Sequence, residues 1–260
     1  MKVMTFNVLY GAGHDRRFDM NIPARFRDRN RMPELIAFLK QADADIIAFE
    51  EAGGWDAGSP PAADQIAAAL GMTYVIAHDP WELHVMLFSK FPIVDAEYVS
   101  RDQGFNGVIL RATVAVTPTA RLNVLASHLN SMSSETRACQ LAALLELAEP
   151  LRRERVLIAG DMNIRPEDAL ARQLSGDGWQ LIVAQPTWPI DQIWADPAAT
   201  VGRGEWWQGL TPPEGISDHL PIGAEITLSL PRTATAATTA NRRLEPRARS
   251  YACPLPPPRP

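Results

Sequence analysis

The chain has 260 residues, of which 46% are hydrophobic, and this is enough for one large core. No apolar run approaches the about 20 residues that cross a bilayer, and no charged region followed by an apolar segment opens the chain. A cytoplasmic protein without stable membrane association is therefore expected. The only two cysteines, Cys139 and Cys253, argue against a disulfide framework or a thiolate zinc cluster, and Cys139 is interpreted as a buried small residue.

The net charge of −5 is unevenly distributed along the chain. The last 30 residues hold six arginines and one glutamate, a net charge of +5, so the preceding 230 residues carry −10. A domain that binds long nucleic acid through its phosphates normally has a basic stripe. The one local candidate is the arginine-rich segment 16–31, which a solvated loop explains equally well.

Apolar strand patterns and helical patterns alternate through the first 229 residues. Helices are predicted at 32–41, 62–70, 134–148 and about 166–173. Strands are predicted at 2–8, 46–49, 73–77, 84–89, 108–116, 122–127 and 155–160, with shorter ones near 181, 191 and 222–228. Strands that are apolar on both faces, with amphipathic helices between them, predict two mixed sheets packed face to face with helices outside.

The segment 230–260 consists largely of Ala, Thr, Arg and Pro and has no apolar periodicity. This composition is typical of a disordered tail. One folded domain over residues 1–229, followed by that tail, is therefore predicted. The protein is expected to be a monomer.

Polar side chains end nearly every predicted strand, and at such positions they can converge on one rim of a sandwich. The strand at 155–160 leads into Gly160-Asp161-Met162-Asn163, and Ser217-Asp218-His219 lies near the end of the folded region. The other strand-end residues of this kind are Asn7, Glu51, His128 and Asp191. Carboxylates, amides and imidazoles together are what metal-assisted attack on a phosphate ester requires.

In this order the residues resemble the endonuclease/exonuclease/phosphatase superfamily, which includes deoxyribonuclease I, AP endonucleases and neutral sphingomyelinases. The resemblance covers residues 1–229. It implies an α/β fold, a four-layer α/β sandwich of the deoxyribonuclease I type, and a metal-dependent phosphoesterase. The implied cofactor is Mg²⁺, with Mn²⁺ as the alternative.

The resemblance also implies which residues hold the metal. Asn7 and Glu51 match the early Asn and Glu of the family's metal site, and Asp218 matches the Asp of the terminal Asp-His pair. Such a set suffices for Mg²⁺, which binds few carboxylates and keeps several waters.

The implied catalytic residues are His128, Asp161, Asn163, Asp191 and His219. Asp161 and Asn163 match the residues that orient the attacking water and hold the phosphate. Asp191 matches the carboxylate that supports His219 and fixes its tautomer. Either Asp161 or His219 is the base, and the sequence leaves this choice open.

Three positions need separate interpretation. Glu50 replaces the family's common Gln, and we favour a solvent-facing side chain over one that tightens metal binding. Glu82 is a candidate for orienting His128, with an exposed loop residue as the equal alternative. Gln192 stands where an aromatic residue or His often follows the Asp, and the loop before Asp191 is short.

The leading hypothesis is a nuclease-type phosphodiesterase that uses metal-assisted in-line attack of water. The acidic body weakens the nucleic-acid part of this hypothesis, so a phosphomonoesterase or a sphingomyelinase-like enzyme is the alternative. A binding module that kept the fold and lost the chemistry is disfavoured because every catalytic position is filled.

Overall fold

The computed structural model describes residues 1–10, 30–101, 107–152, 154–196, 210–228, 244–251 and 253. Most of the arginine-rich segment, His14 and the Trp206-Trp207 pair lie outside the described residues. The helices are α1 (Met32–Ala42), α2 (Ala62–Leu70), α3 (Ser134–Ala148) and α4 (Ala169–Gly176), with a 3₁₀ turn at Glu149–Leu151. The strands are β1 (Lys2–Asn7), β2 (Ile46–Glu50), β3 (Thr73–Ala77), β4 (Val85–Ser89), β5 (Ile93–Arg101), β6 (Ile109–Thr117), β7 (Ala120–His128), β8 (Val156–Asp161), β9 (Gln180–Ala184), β10 (Asp191–Ala195), β11 (Ile222–Glu225) and β12 (Arg247–Tyr251).

The strands form two mixed sheets. The first has the order β11-β1-β2-β4-β3, and the second has the order β12-β5-β6-β7-β8-β10-β9. Within them, β1 pairs parallel with β2, and β7 pairs parallel with β8. Among the described residues, no helix combines the length and the apolar character needed to cross a bilayer.

Three apolar layers separate these sheets and helices. Alternate residues of each strand point to opposite faces, so Val3 joins the core between the sheets while Met4 faces α1 and α2. In the second sheet Leu157 faces the first sheet, and Ile158 packs on the side of α3 and α4. Since both faces of each sheet are covered, the predicted four-layer α/β sandwich is confirmed.

The helices begin and end where local chemistry predicts. The Ser133 side chain accepts a hydrogen bond from the Thr136 backbone N–H (3.1 Å) and caps α3. Gly71 ends α2 in the left-handed conformation that glycine adopts readily. The predicted bounds of α2 and α3 are confirmed, whereas α4 begins at Ala169, after the expected start.

Strand β5 was not predicted because Asp95 and Glu97 interrupt its apolar pattern. The structure accounts for both carboxylates through Arg111 on the neighbouring strand β6. Its guanidinium donates to Glu97 Oε1 and to Asp95 Oδ2, each at 2.7 Å. Two charges that look unsuited to a sheet are therefore paired across strands.

The expectation of a disordered tail is wrong for residues 247–251, which form β12 and pair parallel with β5. Arg247 donates to Asp95 (3.1 Å) and Arg249 lies 3.1 Å from Glu97. The Tyr251 hydroxyl donates to the Gly107 carbonyl (2.9 Å). The tail composition did not indicate this strand because its partners lie about 150 positions earlier in the chain.

A disulfide joins Cys139 on α3 to Cys253, with 5.7 Å between their Cα atoms. The argument against a disulfide framework did not anticipate this single bond, and the interpretation of Cys139 as a buried small residue is wrong, because the residue is half-buried and bonded to Cys253. The two cysteines are 114 positions apart, and only β12 brings the second one beside α3. The bond holds the C-terminal strand to the body of the domain.

Removing this disulfide by Cys253→Ser is expected to lower the free energy of unfolding by about 2–5 kcal/mol, because the bond closes a long loop in the unfolded chain. Urea denaturation of wild type and variant measures the difference. Dithiothreitol should bring the wild type to the variant's midpoint and leave the variant unchanged. Two titratable thiols in the native, untreated protein would contradict the prediction.

Candidate active site

Three strand ends of the second sheet place their polar residues side by side. In the parallel pair β7 and β8, His128 is the register partner of Asp161. In the antiparallel pair β8 and β10, Asp161 is the partner of Asp191. The hydrogen-bonding register therefore brings together three predicted catalytic residues that are far apart in the sequence.

Gly160 allows this close approach of β7 and β8. A Cβ atom at this position would lie 2.0 Å from the Ser127 carbonyl oxygen, and the residue has a φ of 148°. Only glycine fits such a contact without moving the backbone. The glycine thus sets the position of Asp161 beside His128.

Asp161 is the centre of the polar cluster, and it is buried. Its Oδ2 accepts a hydrogen bond from Asn7 Nδ2 (3.2 Å) and lies 3.5 Å from His128 Nε2 and 3.8 Å from His219 Nε2. Its Oδ1 accepts from the Asn163 backbone N–H (3.0 Å). One carboxylate therefore faces two imidazoles and two amides.

The first sheet contributes Asn7 and Glu51 to the same cluster. Asn7 Nδ2 also donates to Glu51 Oε1 (3.0 Å), and Asn7 Oδ1 accepts from the Leu9 backbone N–H (3.1 Å). Leu9, Tyr10 and Glu51 all have left-handed backbones. Such conformations cost free energy in residues other than glycine and concentrate at functional sites.

His219 forms a buried pair with Asp191, in which its Nδ1 lies 2.9 Å from Asp191 Oδ2. Ser217 connects the pair to β1, since its hydroxyl donates to the Asn7 carbonyl (2.7 Å) and accepts from the His219 backbone N–H (3.0 Å). Burial alone lowers the pKa of His219. The hydrogen bond and charge of Asp191, with the charges of Asp161 and Asp218, outweigh burial and raise that pKa to about 10.

This raised pKa predicts a pH dependence of stability for the metal-free protein. The folded-state pKa of His219, about 10, exceeds the ordinary 6.5, so its contribution to stability is lost as pH rises from 6.5 toward 10. Burial raises the pKa of Asp191 to about 6, so the ion pair is fully charged only between about pH 6 and pH 10. Urea titrations in EDTA should show the unfolding free energy falling over this range. His219→Asn should flatten the decline, and equal slopes for both proteins would contradict the prediction.

Asn163 and Asp218 have contacts other than those implied by the resemblance. Asn163 has a left-handed backbone, and its side-chain amide donates to the Leu129 carbonyl (2.8 Å), which holds the end of β7. The Asp218 side chain is exposed and raises the pKa of His219. Phosphate binding by Asn163 and metal binding by Asp218 stay predictions.

Asp79, a residue absent from the predicted site, is a further carboxyl group that interacts electrostatically with His128, in addition to Asp161 and Glu51 at 3.5 and 3.8 Å from its Nε2. Asp79 is buried, which raises its pKa, and the charge of His128 partly opposes this shift. Glu82 is exposed, and its charge opposes the burial-driven decrease in the pKa of His84, while its orienting of His128 stays a prediction. Asp79 directly follows Ile76-Ala77-His78 at the end of β3, and a polar residue near a strand end was the signal that could have found it.

The expectation that Glu50 faces solvent is wrong, because its side chain is fully buried. Strand β2 extends through this residue, and the Thr5 hydroxyl donates to Glu50 Oε1 (2.7 Å). Burial raises the pKa of Glu50 well above its ordinary value; the hydrogen bond from Thr5 opposes this shift, and the charges of Asp191 and Asp161 add to it. A protonated Glu50 has the shape and the donor of the glutamine more common at this position.

Helix α3 supports the loop that follows His128. Gln140 Oε1 accepts from the Asn130 backbone N–H (2.7 Å), and Arg137 donates to the Asn130 carbonyl (2.8 Å). Because both residues lie on the first turns of α3, the helix holds the backbone two residues beyond His128. The disulfide at Cys139 lies on the same stretch of helix.

Gln192 supports two further loops from a buried position. Its Nε2 donates to the Ile164 carbonyl (2.6 Å) and the Pro189 carbonyl (2.7 Å), and its Oε1 accepts from Trp194 Nε1 (2.7 Å). The residue therefore connects the loop after Asp161 to the loop before Asp191.

The donor atoms of the cluster suit a hard divalent cation. Glu51 and Asp161 offer carboxylate oxygens, which Mg²⁺ prefers as ligands, and Asn7 donates from Nδ2 to both of them while its Oδ1 accepts from the Leu9 backbone N–H. Within the described residues, Asp56, His78 and His84 also place possible ligand atoms within 4.8 Å of one another. His84 Nδ1 accepts from the Asp79 backbone N–H (3.1 Å), so Nε2 carries the proton of the neutral ring and is a poor ligand there.

Comparisons with known proteins agree with this architecture. The sequence model of the Endonuclease/Exonuclease/phosphatase family matches residues 4–219. Among curated proteins, none matches the chain.

Solved structures with the same fold include a phosphatase and a protein bound to a DNA product. The human Nocturnin catalytic domain with bound sulfate is 15% identical over 88% of this chain and 93% of that chain, with a TM-score of 0.67. A mannosyl-6-phosphatase from Bacteroides thetaiotaomicron is 15% identical over 88% and 100%, with a TM-score of 0.65. TDP2 from D. rerio complexed with single strand DNA product is 18% identical over 86% and 97%, with a TM-score of 0.61. At these identities the likeness establishes the fold, and the family assignment depends on the sequence match and the cluster around Asp161. The chain therefore belongs to the endonuclease/exonuclease/phosphatase family of phosphoester-hydrolysing enzymes.

Proposed function

We propose that the protein is a Mg²⁺-dependent phosphodiesterase of the nuclease type, with Mn²⁺ as an alternative metal. The observation that carries this proposal is the placement of the Asp161 carboxylate within 3.8 Å of both His128 and His219 and within hydrogen-bonding distance of Asn7. Such a cluster combines a group that accepts a proton from water with imidazoles that can donate hydrogen bonds to an anionic transition state.

Glu51 and Asn7, with Asp218, would hold the metal. When bound, a divalent cation at these oxygens would neutralise charge on the phosphoryl group. Asn7 links this set to the catalytic cluster, because its amide donates both to Glu51 and to Asp161. The proposed metal ligands and the proposed base are therefore oriented by one side chain.

The raised pKa of His219 supports a division of roles that the sequence left open. With a pKa of about 10, His219 is protonated at neutral pH and donates to the phosphoryl oxygens. A protonated imidazole does not accept a proton from water, so Asp161 is the proposed base. Asp191 keeps the positive charge on His219 and fixes its Nδ1 proton.

The alternative, a phosphomonoesterase or a sphingomyelinase-like enzyme, is favoured by the net charge of −10 over the first 230 residues. A panel of single-stranded DNA, abasic DNA, p-nitrophenyl phosphate and sphingomyelin separates these substrate classes. The highest kcat/KM on a monoester or on sphingomyelin would replace the nuclease-type proposal.

The protein is proposed to act as a monomer. The disulfide counts against the cytoplasmic location expected from the sequence, because structural disulfides are rare in reducing compartments.

Metal removal is expected to abolish hydrolysis of bis(p-nitrophenyl) phosphate. EDTA should reduce the rate to background, and excess Mg²⁺ or Mn²⁺ should restore it, since neither Asn7 nor Glu51 can replace the cation's charge. Glu51→Gln, which keeps the shape and removes one ligand charge, should raise the Mg²⁺ concentration needed for half-maximal rate. Full activity in EDTA would refute metal dependence.

A further inference from the structure

The large exposed hydrophobic side chains of the described residues all lie within a few positions of residues in the proposed active-site cluster. They are Trp81 (55% exposed), Met132 (72%), Trp188 (47%) and Leu220 (43%). Each follows or precedes a cluster residue by four positions or fewer, counting from Asp79, His128, Asp191 and His219. Isolated exposed apolar residues are normal, but their restriction to one rim indicates a binding surface.

Two of these residues, Trp81 and Trp188, offer large planar rings, and we call them the rim tryptophans. The ring of Trp188 stacks on that of His219, with centroids 5.5 Å apart and planes inclined by 25°. Its exposed fraction leaves ring surface available beside the proposed reaction centre. A planar group attached to the phosphate can stack on that surface.

Buried polar side chains hold both rim tryptophans in place. The Trp81 backbone N–H donates to Asp79 Oδ1 (2.8 Å), and the Trp188 backbone N–H donates to Gln185 Oε1. Asp79 and Gln185 are both buried. The turns are therefore anchored before substrate arrives, which reduces the entropy lost on binding.

The charge of the loops that carry these side chains argues against recognition of a row of phosphates. The four loops 79–84, 128–133, 185–191 and 216–220 contain no lysine or arginine, although they contain four carboxylates, Asp79, Glu82, Asp191 and Asp218. These loops cannot neutralise a row of phosphates. These four loops can therefore contribute to affinity through stacking and apolar contact with the organic part of the substrate.

We propose that the rim tryptophans select a phosphoester whose alcohol carries a planar ring, such as a nucleoside, and that Trp188 is the principal stacking residue. This inference builds on the proposed phosphodiesterase function and names its substrate class: a short ring-bearing ester. Stacking of one base on an aromatic side chain contributes about 1–3 kcal/mol. At about 1.36 kcal/mol per tenfold, this corresponds to a preference of roughly 5- to 160-fold.

Three esters with the same leaving group test the proposal: the p-nitrophenyl phosphodiesters of thymidine (at its 5′ oxygen), methanol and decanol. Wild type should show kcat/KM for the thymidine ester at least about tenfold above that for the methyl ester. Trp188→Ala should reduce this ratio about tenfold, and Trp188→Phe should recover most of it. Trp81→Ala should reduce it less. Met132→Ala, which removes apolar surface but no ring, should change it less than twofold.

Equal losses on the thymidine and methyl esters in Trp188→Ala would overturn the proposal, since they would mean that Trp188 only supports His219. A wild-type preference for the decyl ester, lost in Met132→Ala, would overturn it in favour of an aliphatic or lipid substrate. If no ester is hydrolysed, the proposed function fails, and calorimetric titration with thymidine 5′-monophosphate still tests the inference. Binding that weakens about tenfold in Trp188→Ala supports stacking, and unchanged or undetectable binding refutes it.

Discussion

His219→Ala is expected to lower kcat for bis(p-nitrophenyl) phosphate by about 10²–10⁴-fold, the usual contribution of a positioned proton donor. His219 Nε2 lies 3.8 Å from Asp161 Oδ2, and Asp191 maintains the positive charge of His219. Steady-state kinetics at saturating Mg²⁺ measure the loss. His78→Ala is the matched control, because His78 is an exposed histidine in the separate cluster with Asp56.

Asp191→Asn tests whether the positive charge of His219 is needed, because the variant keeps the imidazole but removes the carboxylate that stabilises its charge. Without the carboxylate, the pKa of His219 falls, so the high-pH limb of the kcat profile should move to lower pH. The limb moves in this direction because His219 stops acting as an acid once it deprotonates, and a lower pKa means that it deprotonates at lower pH. A variant with reduced kcat and an unmoved profile would show that Asp191 acts only on folding or ring orientation. Activity equal to wild type in His219→Ala would remove His219 from the mechanism.

Asp161→Asn is expected to have an effect of similar size, about 10²–10⁴-fold in kcat, since it removes the proposed base. Geometry adds to the loss of charge. Oδ1 accepts from the Asn163 N–H and Oδ2 accepts from Asn7 Nδ2, whereas an amide has a single oxygen. One of the two hydrogen bonds must become a donor–donor contact, which displaces the side chain.

Asp177→Asn makes the same chemical change at the exposed end of α4 and should leave kcat unchanged. Urea denaturation should show that Asp161→Asn alters the unfolding free energy by no more than about 3 kcal/mol, as for most single substitutions. A kcat within threefold of wild type would exclude Asp161 as the base. If Asp161→Asn does not fold, Asp161→Glu is used in its place. This variant keeps a carboxylate but displaces it, so it should fold and have a low kcat.

Much of the fold was predictable because its signals are local. The bounds of α2, α3 and β3 follow from apolar periodicity, from the Ser133 cap and from Gly71. The strands buried on both faces appear as continuous apolar runs, and this pattern also predicts helices outside two packed sheets. Two strands were missed: β5, whose carboxylates are acceptable only because Arg111 lies on the adjacent strand, and β12, which pairs with β5.

The cluster was predictable in composition but not in electrostatics. Polar residues at strand ends identified Asn7, His128, Asp161 and Asp191, and the register then explains why they meet. The buried state of Glu50 and the interaction of Asp79 with His128 were missed. Both depend on which side chains surround a carboxyl group in the folded protein, and the residues adjacent to it in the sequence do not determine this.

The sequence by itself determined the family, the sandwich and the residue types at the reaction centre, because strand periodicity and strand-end chemistry are properties of short segments. Tertiary structure decided the charge of His219, the burial of Glu50, the pairing of β12 and the disulfide between Cys139 and Cys253. It also decided which exposed tryptophans lie at the rim. Each of these features arises between residues far apart in the chain, where packing brings a partner close and burial changes the cost of a charge.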